Sequence, residues 1–225
     1  MIIDYGKFNP PTSEKMIAGV VAMLNPVTIP PNSTVSFDIK GNWTVSGALL
    51  VPQDSTLRVV EGSILFSGTT NVIGSLQVEG GAKLTFPNVT NYTQPAGQTV
   101  SWTSHNVGTE VNFPNLTSII GNGSTSRRLT ITAQFGGVFN LPALATVSTP
   151  GDPDNFASSG ITLSSNNGNN GVFSSLNLPL LTSYQDLSAV PDSWIQALNG
   201  AAVNVPNLRL SGLRGIRLTG LILQP

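Results

Sequence analysis

Five prolines in this chain share one local context, and that recurrence constrains the fold more than any other feature. They lie in Phe86-Pro87-Asn88-Val89, Phe113-Pro114-Asn115-Leu116, Leu141-Pro142-Ala143-Leu144, Leu178-Pro179-Leu180-Leu181 and Val205-Pro206-Asn207-Leu208. From Pro87 to Pro206 the spacings are 27, 28, 37 and 27. Two residues before the proline stands Asn112, Asn140, Asn177 or Asn204, with Thr85 in the first copy. Six residues before it stands Gly81, Gly108, Gly136 or Gly200. Self-similarity at a fixed period of this size marks a repeat architecture, in which each unit buries its apolar face only by stacking on a neighbour. The long spacing contains Thr149-Pro150-Gly151-Asp152-Pro153-Asp154-Asn155, a loop by composition, so one insert near 149–160 restores a period of 27–28.

Between the proline units lie short runs that alternate apolar and hydroxyl residues. Val100-Ser101-Trp102-Thr103, Leu129-Thr130-Ile131-Thr132-Ala133 and Ile161-Thr162-Leu163-Ser164 have the period of two that predicts a strand with one buried face. The buried set is then Val100, Trp102, Leu129, Ile131, Ile161 and Leu163. The N-terminal half lacks the proline but repeats the pattern in Trp43-Thr44-Val45, Leu57-Arg58-Val59, Leu76-Gln77-Val78 and Leu84-Thr85-Phe86, punctuated by Gly47, Gly62, Gly68, Gly74 and Gly80-Gly81.

Several short strands per 27-residue coil predict an all-β fold, a parallel β-helix (β-solenoid) of about seven coils over residues 31–225, clearest in 81–225. With about 4.8 Å gained per coil the rod is roughly 35 Å long. Residues 1–30 read as an N-terminal arm and capping segment. Pro10-Pro11 make residues 1–12 extended, and Ser13 caps a predicted helix from Glu14 to Leu24 with Met16, Val20 and Met23 on one face. That helix covers the open end of the first coil; a docking arm for a partner and a signal-peptide core are the alternatives. Asp4 and Glu14 before the apolar stretch, and no clean cleavage site after it, argue against a signal peptide.

Composition narrows the function. Only 9% of the residues are charged and the net charge is −1, so no bulk field draws nucleic acid or an anionic membrane. There is no cysteine and a single histidine, which excludes disulfides, thiolate metal sites and multi-histidine centres. The apolar stretch Met16 to Leu24 falls well short of the roughly 20 residues needed to span a bilayer.

The glycine-punctuated run from Gly41-Asn42-Trp43-Thr44-Val45 to Leu84-Thr85-Phe86, followed by the Asn-x-Pro coils, resembles the right-handed parallel β-helix (pectin-lyase-like) superfamily. It is most similar to the non-enzymatic members: bacterial surface adhesins and phage fibre, spike or decoration proteins. The resemblance covers residues 33–225 and is a likeness of fold. It implies that Asn112, Asn140, Asn177 and Asn204 stack in a turn, and that the chain assembles as a homo-oligomer, with a trimer common among phage proteins of this type. The Leu-x-x-Leu-x-Leu spacing of a leucine-rich repeat is not met.

The candidate sites are few. The asparagine column, with Pro87, Pro114, Pro142, Pro179 and Pro206, reads as a structural turn ladder rather than a sugar site. The acids Asp38, Asp54, Glu61, Glu79, Glu110, Asp152, Asp154, Asp186 and Asp192 are scattered, and none recurs at one repeat position. Asp152-Pro153-Asp154-Asn155 suits a turn more than a calcium site. His105 reads as an exposed loop residue with no acid partner named by the sequence. Arg209, Arg214 and Arg217 form the candidate partner contact, or else guard the last edge, beside an apolar run from Leu218 to Leu223 that must be covered. Thr130-x-Thr132 is too isolated for an ice-binding face, because neighbouring coils substitute Ser and Trp102 breaks the regularity. The sequons at Asn32, Asn42, Asn88, Asn91, Asn115 and Asn122 are no evidence of glycosylation in a chain this rich in Asn, Ser and Thr.

The expected function is therefore structural and non-catalytic: a rod-shaped subunit of a virion or surface assembly, docked to other subunits through its N-terminal arm, with no cofactor, no nucleic acid and no membrane insertion. The alternatives are a secreted, extracellular adhesin or carbohydrate-binding solenoid, with Tyr92, Tyr184 and Trp194 as its aromatics, and a polysaccharide-degrading β-helix enzyme.

Overall fold

Short, period-two strands cannot satisfy their own backbone polar groups, and here each does so against the equivalent strand one coil away. The computed structural model describes residues 16–18, 21–23, 26–123, 127–151, 158–167, 172–188, 190–210 and 216–219. Among them there is no helix, and every strand pairing is parallel. A long sheet stacks Met16–Ala18, Thr34–Lys40, Thr56–Val60, Ser75–Glu79, Val100–His105, Arg128–Gln134, Ser158–Asn166, Ser193–Leu198 and Ile216–Thr219 in sequence order. A second sheet of 8 strands runs from Val21–Met23 to Ala202–Asn204. The third side is in two pieces, 3 strands from Val27–Thr28 to Thr70–Val72 and 5 strands from Asn91–Thr93 to Arg209–Leu210. The fold is a three-sided parallel β-solenoid. Its long sheet places seven strands between Thr34 and Leu198, the expected seven coils, with one further strand at each end.

The predicted capping helix is not formed where the chain is described. Met16–Ala18 pairs with Asp38–Lys40, and Val21–Met23 pairs with Trp43–Val45, both in parallel. The open edges of those two strands offer backbone partners that a helix would leave unsatisfied, and β-branched Ile17 and Val21 suit a strand. The stacked body therefore begins by Met16. Residues 1–12, Ser13 and Glu14 lie outside the described residues.

Coil length follows from register. Thr34 pairs with Thr56 and Asn42 with Ser63, offsets of 22 and 21. After the first proline unit the second sheet pairs Lys83 with Glu110, Glu110 with Val138, Val138 with Ser175 and Ser175 with Ala202. Those offsets are 27, 28, 37 and 27, the proline spacings themselves. The long coil gains its extra residues at two corners. From Ser118 to Leu129 is 11 residues while the equivalent Thr146 to Ile161 is 15; from Leu129 to Val138 is 9 while Ile161 to Ser175 is 14. The segment at 149–160 thus supplies part of the insert, and residues before Ser175 supply the rest.

Alternation in each strand sends one set of side chains into a single core. Val100, Trp102, Leu129, Ile131, Ile161 and Leu163 are all buried, as their pattern predicts. The residue before each proline is an inward knob. Phe86 stacks on Phe66 with ring centroids 5.5 Å apart and on Phe113 at 4.9 Å; Leu141, Leu178 and Val205 continue that column inside. Trp102 stacks on Phe113 at 5.0 Å, and Tyr92 meets Trp102 edge-on at 4.6 Å.

Close packing of coil on coil also dictates glycines. A Cβ at Gly160 would lie 2.3 Å from the Asp192 carbonyl oxygen, with no side chain to move aside. At Gly136 the backbone has φ +93° and a Cβ would meet Val172 and Val107 at 2.6 and 3.0 Å. Phe113→Ala is expected to cost about 3–5 kcal/mol through its cavity. Gly160→Ala should lower the melting temperature more than Gly97→Ala, whose cost is only its φ of +71° because nothing lies within 4 Å. Thermal melts by circular dichroism, with the two glycine variants in parallel, check both.

Candidate functional site

Two faces concentrate the residues that the sequence singles out: the corner after the second sheet, where the proline units turn, and the outer face of the long sheet.

At the proline corner, equal residues superimpose because the coils are in register. Asn140 Nδ2 donates to Asn112 Oδ1 at 2.7 Å, and Asn177 Nδ2 donates to Asn140 Oδ1 at 2.7 Å. Asn112 Nδ2 reaches Thr85 Oγ1 at 3.5 Å, so the threonine of the first copy ends the ladder. Asn204 continues the column, paired with Asn177 in register. Asn112 and Asn140 each give and receive along the rod, which is what an asparagine ladder does. A second ladder, not anticipated from the repeat, lies just beyond the prolines. Asn88, Asn115 and Asn207 donate to carbonyl oxygens of Ser67, Pro87 and Pro179 one coil below, at 2.6, 2.7 and 2.8 Å.

On the long sheet, outward residues form three columns. Thr34, Thr56, Ser75, Ser101, Thr130 and Thr162 give an unbroken hydroxyl column that reaches Trp194. Trp102 does not interrupt this face, because it points inward and is fully buried. Beside it run Ser36, Arg58, Gln77, Thr103, Thr132, Ser164 and Gln196. A third column, near the corner to the second sheet, carries Glu79, His105 and Gln134.

These columns line an open depression of about 460 Å³ from Thr56 to Gln134. Beside it, Arg58 forms an ion pair with Glu79, which lines the depression, and donates from Nη1 to Ser36 Oγ at 3.3 Å. Gln77 Nε2 donates to the other Glu79 oxygen at 3.5 Å. Both carboxylate oxygens are thus engaged and the local charge balances. Ser101 Oγ and Thr103 Oγ1 lie 3.4 Å apart. His105 is not an exposed loop residue. It ends the strand Val100–His105, is half-buried, and sets its ring 4.9 Å from that of Phe135. Its Nδ1 is buried with no hydrogen-bond partner. The acid beside it is Glu79 of the preceding coil, one register position beyond the Val78–Ser104 pair, a neighbour the sequence does not assign to it.

The other expected site residues separate. Tyr92 and Tyr184 are core residues, 5% and 0% exposed, and cannot stack on a ligand. They occupy the inward position of their strands, Asn91–Thr93 and Ser183–Asp186. Trp194 does lie on the outer face, with Nε1 donating to Asp192 Oδ1 at 2.7 Å. Asp192 also pairs with Arg128. Arg209 stands on the third side opposite Ser183, whereas Arg217 stands on the long sheet opposite Trp194, so their strands belong to different sides of the solenoid. Arg214, the loop Asp152-Pro153-Asp154-Asn155 and the apolar residues beyond Thr219 lie outside the described residues. Among the described residues, no three His, Cys, Asp or Glu side chains gather as metal ligands.

A buried polar cluster ties the last coils together. Asp186 is fully buried and accepts from the Ser188 backbone N–H at 3.0 Å, Ser188 Oγ at 2.6 Å and the Asp192 N–H at 3.0 Å. Tyr184 OH donates to the Ile161 carbonyl at 2.5 Å. These are turn-forming contacts, and they hold the segment that presents Trp194.

Burial raises both tyrosine pKa values above the ordinary 10.0, at Tyr184 with the nearby Asp186 charge adding to the effect. The folded state then keeps protons that the unfolded chain loses, so these groups leave stability unaffected below about pH 10 and reduce it as pH rises further. Ionisation of Tyr92 and Tyr184, followed at 295 nm, should coincide with loss of the circular dichroism signal rather than precede it. Separately, Asn140→Ala removes two ladder bonds and is expected to cost about 1–3 kcal/mol in urea melts.

No protein-family model, curated protein or solved structure matches this chain, so the site rests on its own geometry.

Proposed function

We propose that the chain is a structural, non-catalytic rod: a β-solenoid subunit of a virion or other surface assembly, of the phage fibre, spike or decoration type within the right-handed pectin-lyase-like superfamily. The observation that carries this reading is where the repeat residues go. The most regular side chains, Asn112, Asn140 and Asn177, bond to one another, Phe66, Phe86 and Phe113 stack on one another, and Asn88, Asn115 and Asn207 brace the turn below. The repetition is spent on holding coil to coil, which is what a stiff projecting or tiling element requires.

A rod of this kind works in copies. Self-association as a homo-oligomer, a trimer among the forms the fold resemblance implies, suits a surface with few charges to keep neighbours apart. Residues 1–12 are the docking arm in this reading. Because the stack already includes Met16–Ala18 and Val21–Met23, the arm must be tested without cutting into it.

Deletion of residues 1–12 is expected to leave the thermal melt of the rod unchanged and to abolish its incorporation into the particle or surface layer. Fractionation of assembled material with an antibody to the rod checks this. Truncated protein that still incorporates at wild-type copy number rules the docking role out.

A further inference from the structure

The corner that joins the long sheet to the second sheet bends through the left-handed backbone conformation in five of the coils. The residues at the bend are Glu61 (φ 61°), Gly80 (φ 67°), Asn106 (φ 78°), Phe135 (φ 53°) and Asn199 (φ 55°). They follow Val60, Glu79, His105, Gln134 and Leu198, which stand in one register column. Glycine and asparagine suit a positive φ, whereas a bulky aromatic is strained there. Phe135 gains only part of a packing site in return: its ring meets that of His105 and stays half-exposed. An aromatic held at such a bend points to a use outside the chain.

Neighbouring coils set apolar side chains beside it. Val107 is 65% exposed and Phe173 62%, the two most exposed large hydrophobic residues among those described. A Cβ at Gly136 would touch Val107 and Val172, so these residues adjoin across three successive coils, and Phe173 follows Val172 directly. Val172 and Phe173 belong to the part of the insert that lies before Ser175. Among the described residues of this corner, none from Gly80 to Gly200 is charged. The acids at its flanks, Glu79 and Glu110, are paired with Arg58 and Lys83.

We infer that this corner is the surface through which the chain binds a second copy of itself, side by side with rod axes aligned. The inference rests on the homo-oligomer of the structural reading and names its surface. Two features select a copy over an unrelated partner. The apolar residues recur at about 4.8 Å, one level per coil, and another copy presents the same levels at the same spacing. A surface that meets itself also sets like charges together wherever it is charged, and this corner carries none. Val107, Phe135 and Phe173 form the dry centre of the contact, and the exposed Asn106 and Asn199 its polar rim. Flanking strips of the two sheets complete the roughly 800 Å² per partner that a specific interface needs.

The experiment uses the full chain, with its oligomeric state followed by light scattering over a concentration series. The wild type is expected to be an oligomer. Val107→Ser and Phe173→Ser should each raise its dissociation constant about tenfold or more. Neither should change the thermal melt of the dissociated chain, because both side chains are mostly exposed. Phe135→Asn, which puts at the bend the residue found at Asn199, should weaken association without lowering the melting temperature. Leu180→Ser is the control: its side chain is 54% exposed at the proline corner, and its loss should leave association unchanged. An oligomer that survives the Val107 and Phe173 substitutions, or that Leu180→Ser weakens as much, overturns this surface and leaves the homo-oligomer standing. A wild-type chain that stays monomeric at its highest soluble concentration overturns both, and a dye for apolar surfaces that binds it less after Phe173→Ser then assigns the corner to a different partner. Incorporation into the particle or surface layer, read with the deletion of residues 1–12, tests the structural reading separately.

Discussion

Parallel pairing of each strand with its equivalent one coil away is the constraint on which the rest of this structure depends. The strands are short, several of only three residues, and none buries its apolar face or satisfies its backbone alone. Pairing settles both demands together. It also superimposes chemically equal positions, so each recurring residue meets its own kind. The asparagine ladder and the phenylalanine stack are consequences of that superposition and in turn penalise any slip. A one-residue shift would carry Val100, Trp102 and their equivalents outward and Ser101 and Thr103 inward.

The coils are unequal, and the strands do not absorb the difference. Early coils advance by 20–22 residues on the second sheet and later ones by 27 or more. The added residues enter at the corners, where the Asn-x-Pro unit is one of the additions. On the third side the change divides the sheet, between Thr70–Val72 and Asn91–Thr93. The long and second sheets run through without a break, carried across by the Phe66–Phe86–Phe113 stack. The depression on the long sheet straddles this transition, from Thr56 in a short coil to Gln134 in a long one.

Charge follows the same economy. The described ion pairs, Arg58–Glu79, Lys83–Glu110 and Arg128–Asp192, each join residues on different coils. Lys83–Glu110 is solvent-exposed and adds little stability. Arg58–Glu79 joins two neighbouring strands of the long sheet beside the depression.

The architecture, the 27-residue period, the inward residues and the turn ladder were legible in the sequence because they are local and repeated. A period-two run states its own buried face, and a residue recurring at one spacing states its own column. The capping helix was misread because Met16, Val20 and Met23 fit a helical stripe, while the strand edges that compete for that segment belong to the next coil. The site was harder still. Gly81 and Gly108 are 27 residues apart, but Leu76 pairs with Trp102 at 26. The extra residue is taken up in the corner around Asn106, at φ 78°. Register read from the glycines would set Glu79 beside Asn106. Only the folded corner sets it beside His105, because how much chain a turn consumes is decided by packing against the coils above and below it, and no local pattern records that.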